Sequence, residues 1–233
     1  MRFKPFLVLG LGFVSCSLLT NVALSAPITG QANIAGNVTV TGTNINFNPT
    51  FVNTVGATET GAFTGLTGGT IASLTGSSAG AMNVPGFAMF TTGVAAPVTF
   101  DLTSISAGVG TAAGCGSAAV GSLCTPTNSP FTLVQLTSSS VVATLQLNGN
   151  AYTGSAATGT SPTTSVFSTQ LLTPGTIPAV LAQLASGGVS GITYSATFNA
   201  AGTNPVVPEP ASMLLLGIGL VGAGLVARRK IIN

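Results

Sequence analysis

The sequence of 233 residues predicts an all-β fold, a single antiparallel β-sandwich-like domain with one short helix, set between an N-terminal signal peptide and a C-terminal transmembrane helix. Three observations lead to this prediction. Short segments alternate apolar and neutral polar residues, clusters of Gly, Asn, Ser and Pro separate them, and an apolar run lies at each end of the chain. We place the signal peptide at residues 1–25, a β-rich extracytoplasmic domain at 26–205 and a separate C-terminal segment at 206–233.

The first 25 residues have the three parts of a secretory signal peptide. Two basic residues open the chain, residues 6–14 are apolar, and residues 23–25 form a small-x-small cleavage site. We expect cleavage between Ser25 and Ala26. Two alternatives stay open: an uncleaved anchor, although the apolar run is short for one, and lipid attachment at Cys16, although the residues before it lack the usual leucine.

Several stretches of the domain alternate with period two, so that each places its apolar residues on one face. They are residues 38–47 as two strands, 97–105, 141–147 and 191–199. In the last stretch Ile192, Tyr194, Ala196 and Phe198 share a face, and the other face is mostly Ser, Thr and Asn. One apolar face and one neutral polar face predict antiparallel sheets that pack against each other as a sandwich.

The connections between these strands also carry local signals. The Asn-Gly pair at 148–149 predicts a hairpin turn, because a type I′ turn needs positive φ at both central residues. Residues 76–83 predict a loop. Residues 178–185 predict the short helix, and the Ser-Gly-Gly that follows at 186–188 predicts its end.

Charge is unusually scarce. Charged residues make up 3% of the chain, against roughly 25% in an average soluble domain. Between residues 26 and 207 the charged residues are Glu59 and Asp101, with no Lys, Arg or His. Binding to nucleic acid, anionic lipid or a phosphorylated ligand needs cations, so the sequence predicts none of these for the domain.

The same scarcity argues against catalysis. Without His there is no Ser/His/Asp triad and no His-ligated metal. Two carboxylates can hydrolyse glycosides, but Glu59 and Asp101 have no Trp, Arg or His to accompany them. We expect Glu59 to be a loop residue and Asp101 to be a solvent-facing residue of a strand. We therefore expect no enzymatic activity, no cofactor and no metal, with calcium binding through one carboxylate and backbone carbonyls as the open alternative.

Cys115 and Cys124 are the cysteines that remain once the signal peptide is removed, and both lie in a loop at 114–126. In an oxidising compartment we expect them to form a disulfide that closes this loop. Two thiols are too few for a usual zinc site, and a catalytic thiol needs a basic neighbour that the domain does not offer.

The C-terminal segment contains residues 211–227, which carry no charge and would form a helix of roughly 26 Å, at the short end of what spans a bilayer. Arg228, Arg229 and Lys230 follow directly. By the positive-inside rule these basic residues stay in the cytoplasm and stop the helix there, so the domain lies outside. The N-terminal signal peptide predicts the same topology.

Just before this helix stand Pro208, Glu209 and Pro210, and two prolines around one acid make a stiff, extended segment. The order of Pro-Glu-Pro, an apolar Gly/Leu helix and a short basic end, over residues 207–230, resembles the PEP-CTERM sorting signal of Gram-negative bacteria. One departure is that residues 211–213 lack the aromatic that many such tails carry. The resemblance implies an exosortase, a membrane transpeptidase, as the partner that recognises Pro208, Glu209 and Pro210. The alternative is a plain C-terminal anchor.

Together these features predict an exported, non-enzymatic cell-surface or extracellular-matrix protein, held in the inner membrane by its C-terminal helix until it is processed. The resemblance also implies exopolysaccharide as a partner, since exosortase systems often accompany its production. The alternative is a carbohydrate- or protein-binding β module. A specific sugar site usually presents aromatic rings, and Tyr152 and Tyr194 are the tyrosines of the chain.

Overall fold

The computed structural model describes residues 27–41, 44–53, 59–76, 78–156, 159–171 and 174–202. Within these ranges it contains twelve β-strands, one α-helix and two short 3-10 helices. The strands are β1 Gly30–Val40, β2 Asn44–Phe47, β3 Thr50–Asn53, β4 Gly68–Ile71, β5 Leu74–Thr75, β6 Gly80–Thr92, β7 Val98–Ile105, β8 Leu123–Cys124, β9 Thr132–Thr137, β10 Ser140–Thr153, β11 Ser161–Leu171 and β12 Val189–Ala200. The helix α1 is Ile177–Ser186, and the 3-10 helices are Gly61–Phe63 and Ala112–Gly116.

Among the described residues, eight strands close into an antiparallel β-barrel in the order β11-β12-β1-β3-β4-β6-β7-β10. The barrel closes because β10 pairs with β11 in an unbroken register from Val141↔Leu171 to Ala151↔Ser161. The other edge of β10 pairs first with β9 and then with β7. The predicted all-β character with one helix is confirmed. In place of the predicted sandwich, the strands form one closed sheet. The pairing of β10 with β11 joins the two edge strands that an open sheet would leave unpaired.

The strand faces follow the predicted alternation. Val98, Phe100 and Leu102 of β7 are fully buried, as are Phe198 of β12 and Leu147 of β10. Aromatic rings fill much of the interior. The ring of Phe198 lies 5.0 Å from that of Phe90 and 5.3 Å from that of Phe100, measured between ring centroids. Edge-to-face contacts of this kind are favourable beyond the area they bury.

The hairpin turn predicted at 148–149 is wrong, because β10 runs straight through it. A Cβ on Gly149 would collide with the carbonyl oxygen of Asp101 and the ring of Phe100 on β7, so the glycine serves a close approach of two strands. Opposite it, β7 has one extra residue, Thr103, in a bulge. The loop predicted at 76–83 is also wrong in part, since β6 begins at Gly80.

The predicted helix is confirmed as α1, with Pro178 in its first turn. Gly187 follows it with φ 152°, and the Gly188 N–H donates to the carbonyl of Gln183 at 3.0 Å. The helix packs against β9, β12 and the 3-10 helix Ala112–Gly116. Its N-terminus is fixed by the fully buried Gln135 of β9, whose Oε1 accepts a hydrogen bond from the Ile177 N–H at 2.9 Å.

Candidate functional site

The two carboxylates of the domain lie on opposite sides of the barrel. Asp101 is on β7, whereas Glu59 precedes Thr60, whose N–H donates to the carbonyl of Gln31 on β1. β1 and β7 stand four positions apart in the closed strand order of eight. The acid pair of a glycosidase must lie within roughly 5–10 Å. In this arrangement the two carboxylates do not form one site.

Asp101 lies on the outer face of β7, between the buried Phe100 and Leu102, and it is half-buried because it bonds to neighbouring strands. Its Oδ1 accepts hydrogen bonds from the Gly86 N–H at 2.6 Å and from the Tyr152 hydroxyl at 3.2 Å. Gly86 has φ 63°, at an irregular stretch of β6 that pairs with β7. Partial burial, and then the nearby Asp101 carboxylate, raise the pKa of Tyr152 above 10. The carboxylate thus holds together β6, β7 and β10.

The predicted disulfide is present: Cys115 and Cys124 are bonded, with their Cα atoms 4.6 Å apart. Cys115 lies in the 3-10 helix Ala112–Gly116, and Cys124 lies on β8 opposite Leu133 of β9. The Thr111 side chain caps the helix by accepting a hydrogen bond from the Gly114 N–H at 3.2 Å. The disulfide therefore joins this loop to the edge of the sheet, and neither sulfur is a free thiol. In the ranges that the structure describes, no three potential metal-ligating residues come together.

A continuous outer surface without charge extends over β10, β11, β12 and β1, and we call it the uncharged face. Outward side chains of the four strands stand in rows, because paired residues lie side by side across the sheet. One such row is Gln146, Val166, Thr197 and Asn33. The members of the face are Thr144, Gln146, Asn148, Thr164, Val166, Ser168, Ser195, Thr197, Asn199, Gln31, Asn33 and Ala35.

Hydrogen bonds order part of this face. The Oδ1 of Asn33 accepts from the hydroxyl of Thr197 at 2.8 Å and from Nε2 of Gln31 at 3.2 Å. The hydroxyls of Ser168 and Ser195 are 3.1 Å apart. Strands lie about 4.8 Å apart, so the rows present hydroxyl and amide groups at a regular interval. Beside these rows is a shallow depression of about 430 Å³, which is bordered by Leu136, by other residues of β9–β12 and by Ala35 of β1.

The other predicted site residues lie outside the described residues. They are the cleavage residues Ser25 and Ala26, the recognition residues Pro208, Glu209 and Pro210, and the basic residues Arg228, Arg229 and Lys230. The helix predicted at 211–227 also falls there. Where the structure does describe the chain, it contains no helix that is both long enough and apolar enough to cross a membrane.

The fold and these features define a class of protein: a β-barrel with almost no charge, one disulfide and a C-terminal tail with its own signal. Residues 206–230 of that tail match the family model of the PEP-CTERM protein-sorting motif. The C-terminus thus carries the predicted PEP-CTERM sorting motif, and the motif indicates an exported protein that an exosortase-type enzyme processes at the membrane. No curated protein matches the chain, and no solved structure does.

Proposed function

We propose that the protein is a non-enzymatic component of the cell surface or extracellular matrix, which the exosortase delivers to its place of action. The observation that carries this proposal is the sorting motif at 206–230, attached to a domain with two charged side chains in all. The positions of the cysteines and carboxylates support it, because these residue types often act as nucleophile, acid or base. Here the two cysteines form a disulfide, Asp101 bonds to a neighbouring strand, and Glu59 lies far from Asp101.

In this proposal the helix at 211–227 holds the exported protein in the inner membrane, with Arg228, Arg229 and Lys230 on the cytoplasmic side. Pro208, Glu209 and Pro210 then lie at the outer surface of that membrane, where their extended backbone is open to the exosortase. Processing frees the barrel from the helix, and the domain acts at the cell surface or outside the cell.

The test is to express the protein in hosts with and without the exosortase and to follow its location and the mass of its C-terminus. With the enzyme, wild type loses the tail, whereas Glu209→Ala keeps it and stays in the membrane fraction. Glu59→Ala is the matched control, because it removes the same side chain from the barrel and leaves the tail intact. Equal processing of Glu209→Ala and wild type, or processing in the host without the enzyme, would refute the proposal.

The second candidate function is a carbohydrate- or protein-binding β module, with neutral exopolysaccharide as the ligand. The uncharged face favours this function, because its rows of hydroxyls and amides can form hydrogen bonds with a hydrated sugar polymer. Such contacts do not require the polymer to be charged. A broad face of this kind can make many weak contacts along a polysaccharide. It is therefore a better match to a polymer than to a single sugar.

Affinity electrophoresis through gels that contain neutral or acidic polysaccharide tests this second function. We expect a neutral polymer to retard the protein, with little dependence on salt, since no ion pairs are involved. The double variant Asn33→Ala with Thr197→Ala should migrate faster, whereas Thr91→Ala, at an exposed position of β6 outside the face, should behave as wild type. Retardation that is equal in all three proteins, or absent throughout, would exclude the uncharged face as the binding surface.

A further inference from the structure

An apolar pocket lies inside the barrel beneath α1. Its walls are aliphatic residues of β1, β2, β9–β12 and α1, together with the rings of Phe47, Phe131, Phe167 and Tyr194. The surface that these residues present to the pocket is almost entirely apolar. The free volume is about 60 Å³, several times the roughly 10–15 Å³ that one water needs. The pocket therefore has room for a chain of a few carbon atoms.

The pocket lies directly below the depression on the uncharged face. Ser168, Thr169 and Tyr194 border both, the pocket from inside the sheet and the depression from outside. The register of β11 with β12 ends at Ser168↔Ser195, although β11 continues for three more residues and β12 begins six residues earlier. Beyond that pair a side chain joins the two strands, since the Thr169 hydroxyl donates to the Thr193 carbonyl at 2.6 Å. This gap in backbone pairing lies between the depression and the pocket.

The depression offers both apolar and polar groups to a ligand. Leu136 on its border is 49% exposed, and Val142 and Ala35 lie beside it. The paired hydroxyls of Ser168 and Ser195 share one proton between them, so the second proton is left to donate to a ligand. Among the described residues, those that line the depression and the pocket carry no charge. A sugar ring matches this surface, because it has hydroxyls around an apolar C–H framework.

We propose that the depression and the pocket form one site, which binds a neutral sugar residue that bears a short acyl chain. The sugar lies in the depression, where it pairs with the hydroxyls of Ser168 and Ser195, and the acyl chain passes between β11 and β12 into the pocket. The chain is short because the pocket is small, and it is uncharged because the domain has no Lys, Arg or His to balance an anion. This inference rests on the second candidate function, and it names the substituent that the uncharged face selects on a neutral polysaccharide.

The experiment measures the full chain, in nanodiscs of zwitterionic lipid, by affinity electrophoresis against one polymer in several forms. Dextran, a neutral glucan, is compared with dextran that carries acetyl, butyryl, hexanoyl or succinyl esters at the same low density, and empty nanodiscs give the background. Butyryl-dextran should bind about 15-fold more tightly than acetyl-dextran, which is about fourfold for each added methylene. Hexanoyl esters should add little more, because the pocket is then full. Succinyl esters have the length of butyryl but end in a carboxylate, and they should bind no more tightly than plain dextran.

Variants separate the acyl gain, which is the ratio of the affinities for butyryl-dextran and plain dextran, from sugar binding itself. Ala143→Leu fills the pocket from β10 and should abolish the acyl gain, whereas Ala81→Leu adds the same atoms at an exposed position of β6 and should preserve it. Leu184→Phe fills the pocket from α1 and replaces Ala143→Leu if that variant does not fold. Ser168→Ala with Ser195→Ala should weaken the binding of both polymers by the same factor, about two- to tenfold, because it removes hydrogen bonds to the sugar and leaves the pocket intact.

Three results would overturn the inference. Equal retardation by dextran and butyryl-dextran would do so and would leave the second candidate function standing, because the face would then bind sugar without an acyl chain. Retardation by neither polymer would refute that function and the inference with it. An acyl gain that persists in the folded Ala143→Leu or Leu184→Phe variant, or that succinyl esters give equally, would show that the chain does not enter the pocket.

Discussion

The two ends of the barrel interior are packed in different ways. At the aromatic end, Phe63, Phe90, Phe100 and Phe198 contact one another edge-on and are all fully buried. At the helix end, α1 covers a pocket of about 60 Å³, which is lined by aliphatic residues and by the rings of Phe47, Phe131, Phe167 and Tyr194. One end of the barrel interior is thus tightly packed, whereas the other end retains free space. Eight-stranded barrels are either filled by side chains or hold one small ligand. In this chain side chains fill the aromatic end, and about 60 Å³ is free at the helix end.

The strongest test of this difference is to remove one large side chain from each end. Phe198→Ala should lower the free energy of unfolding by about 3–5 kcal/mol, because it deletes a ring that packs against three others. Leu184→Ala should cost only about 1–2 kcal/mol, since Leu184 is half-buried beside space that already exists. Urea unfolding followed by circular dichroism measures both. Equal losses would mean that the two ends are packed alike.

The second test acts on Gln135, which holds α1 over the helix end. Its Nε2 donates to the carbonyls of Gly175 and Thr137, each at 2.7 Å, and its Oε1 accepts from the Ile177 N–H. Gln135→Ala leaves these buried groups unpaired and should cost about 2–3 kcal/mol. The matched control is Gln170→Ala, at an exposed position of β11, with a change within about 0.5 kcal/mol.

Hydrogen exchange adds a local readout to the second test. The amides of α1 should lose protection in Gln135→Ala, and those of β7 at the aromatic end should keep it, because the deleted contacts all belong to the helix end. A uniform loss of protection across the barrel would show that Gln135 supports the whole fold and not α1 in particular.

Much of the aromatic end follows from the sequence, because a strand shows its two faces through local alternation. Phe198 and Phe100 are inward in the sequence pattern and inward in the structure. The closure of the barrel does not follow, since it depends on β10 pairing with β11 on one side and β7 on the other, and a period-two pattern does not name partners. The role of Gly149 does not follow from the sequence either. The Asn148-Gly149 pair predicts a turn, whereas in the structure the glycine allows β7 to approach β10 closely.

The helix end is harder to predict. In β9 hydrophobicity alone would turn Val134 and Leu136 inward, yet Gln135 is fully buried and Leu136 is 49% exposed. The reason is long-range: Gln135 satisfies backbone groups of the turn before α1, which lies some 40 residues along the chain. Cys115 and Cys124 are the exception at this end, because their pairing follows from their number and the compartment.

The third test removes the disulfide, whose loop packs against α1 through the 3-10 helix Ala112–Gly116. Cys115→Ser with Cys124→Ser should cost about 2.5 kcal/mol by the loop-entropy relation for a separation of 9 residues. The control in the same loop is Ser117→Ala with Ser122→Ala. It removes the hydrogen bond of 2.8 Å between the two hydroxyls and the one of 3.2 Å from the Ala119 N–H to Ser117 Oγ, and it should cost about 1 kcal/mol because both lie near the surface. If the two double variants unfold at the same urea concentration, the disulfide does not stabilise the helix end.

The smallest expected effect is a gain. Tyr194→Phe removes the buried hydroxyl that has no partner among the described residues, and it should raise the free energy of unfolding by about 1 kcal/mol. Tyr152→Phe is the control, because it deletes a hydroxyl that does have a partner, Asp101, and it should give no gain. A loss of stability in Tyr194→Phe would mean that the hydroxyl is paired in solution.

The pH dependence of the same variant gives an independent measurement. Burial raises the pKa of Tyr194 well above its usual value of 10.0, so the folded state holds the phenol proton more tightly than the unfolded chain does. The stability due to the neutral phenol is complete below pH 10 and is lost as pH rises from there toward the raised pKa. Wild type should therefore lose stability above pH 10 faster than Tyr194→Phe. Parallel curves for the two proteins would show that Tyr194 reaches water, and that the helix end is more open than its apolar lining implies.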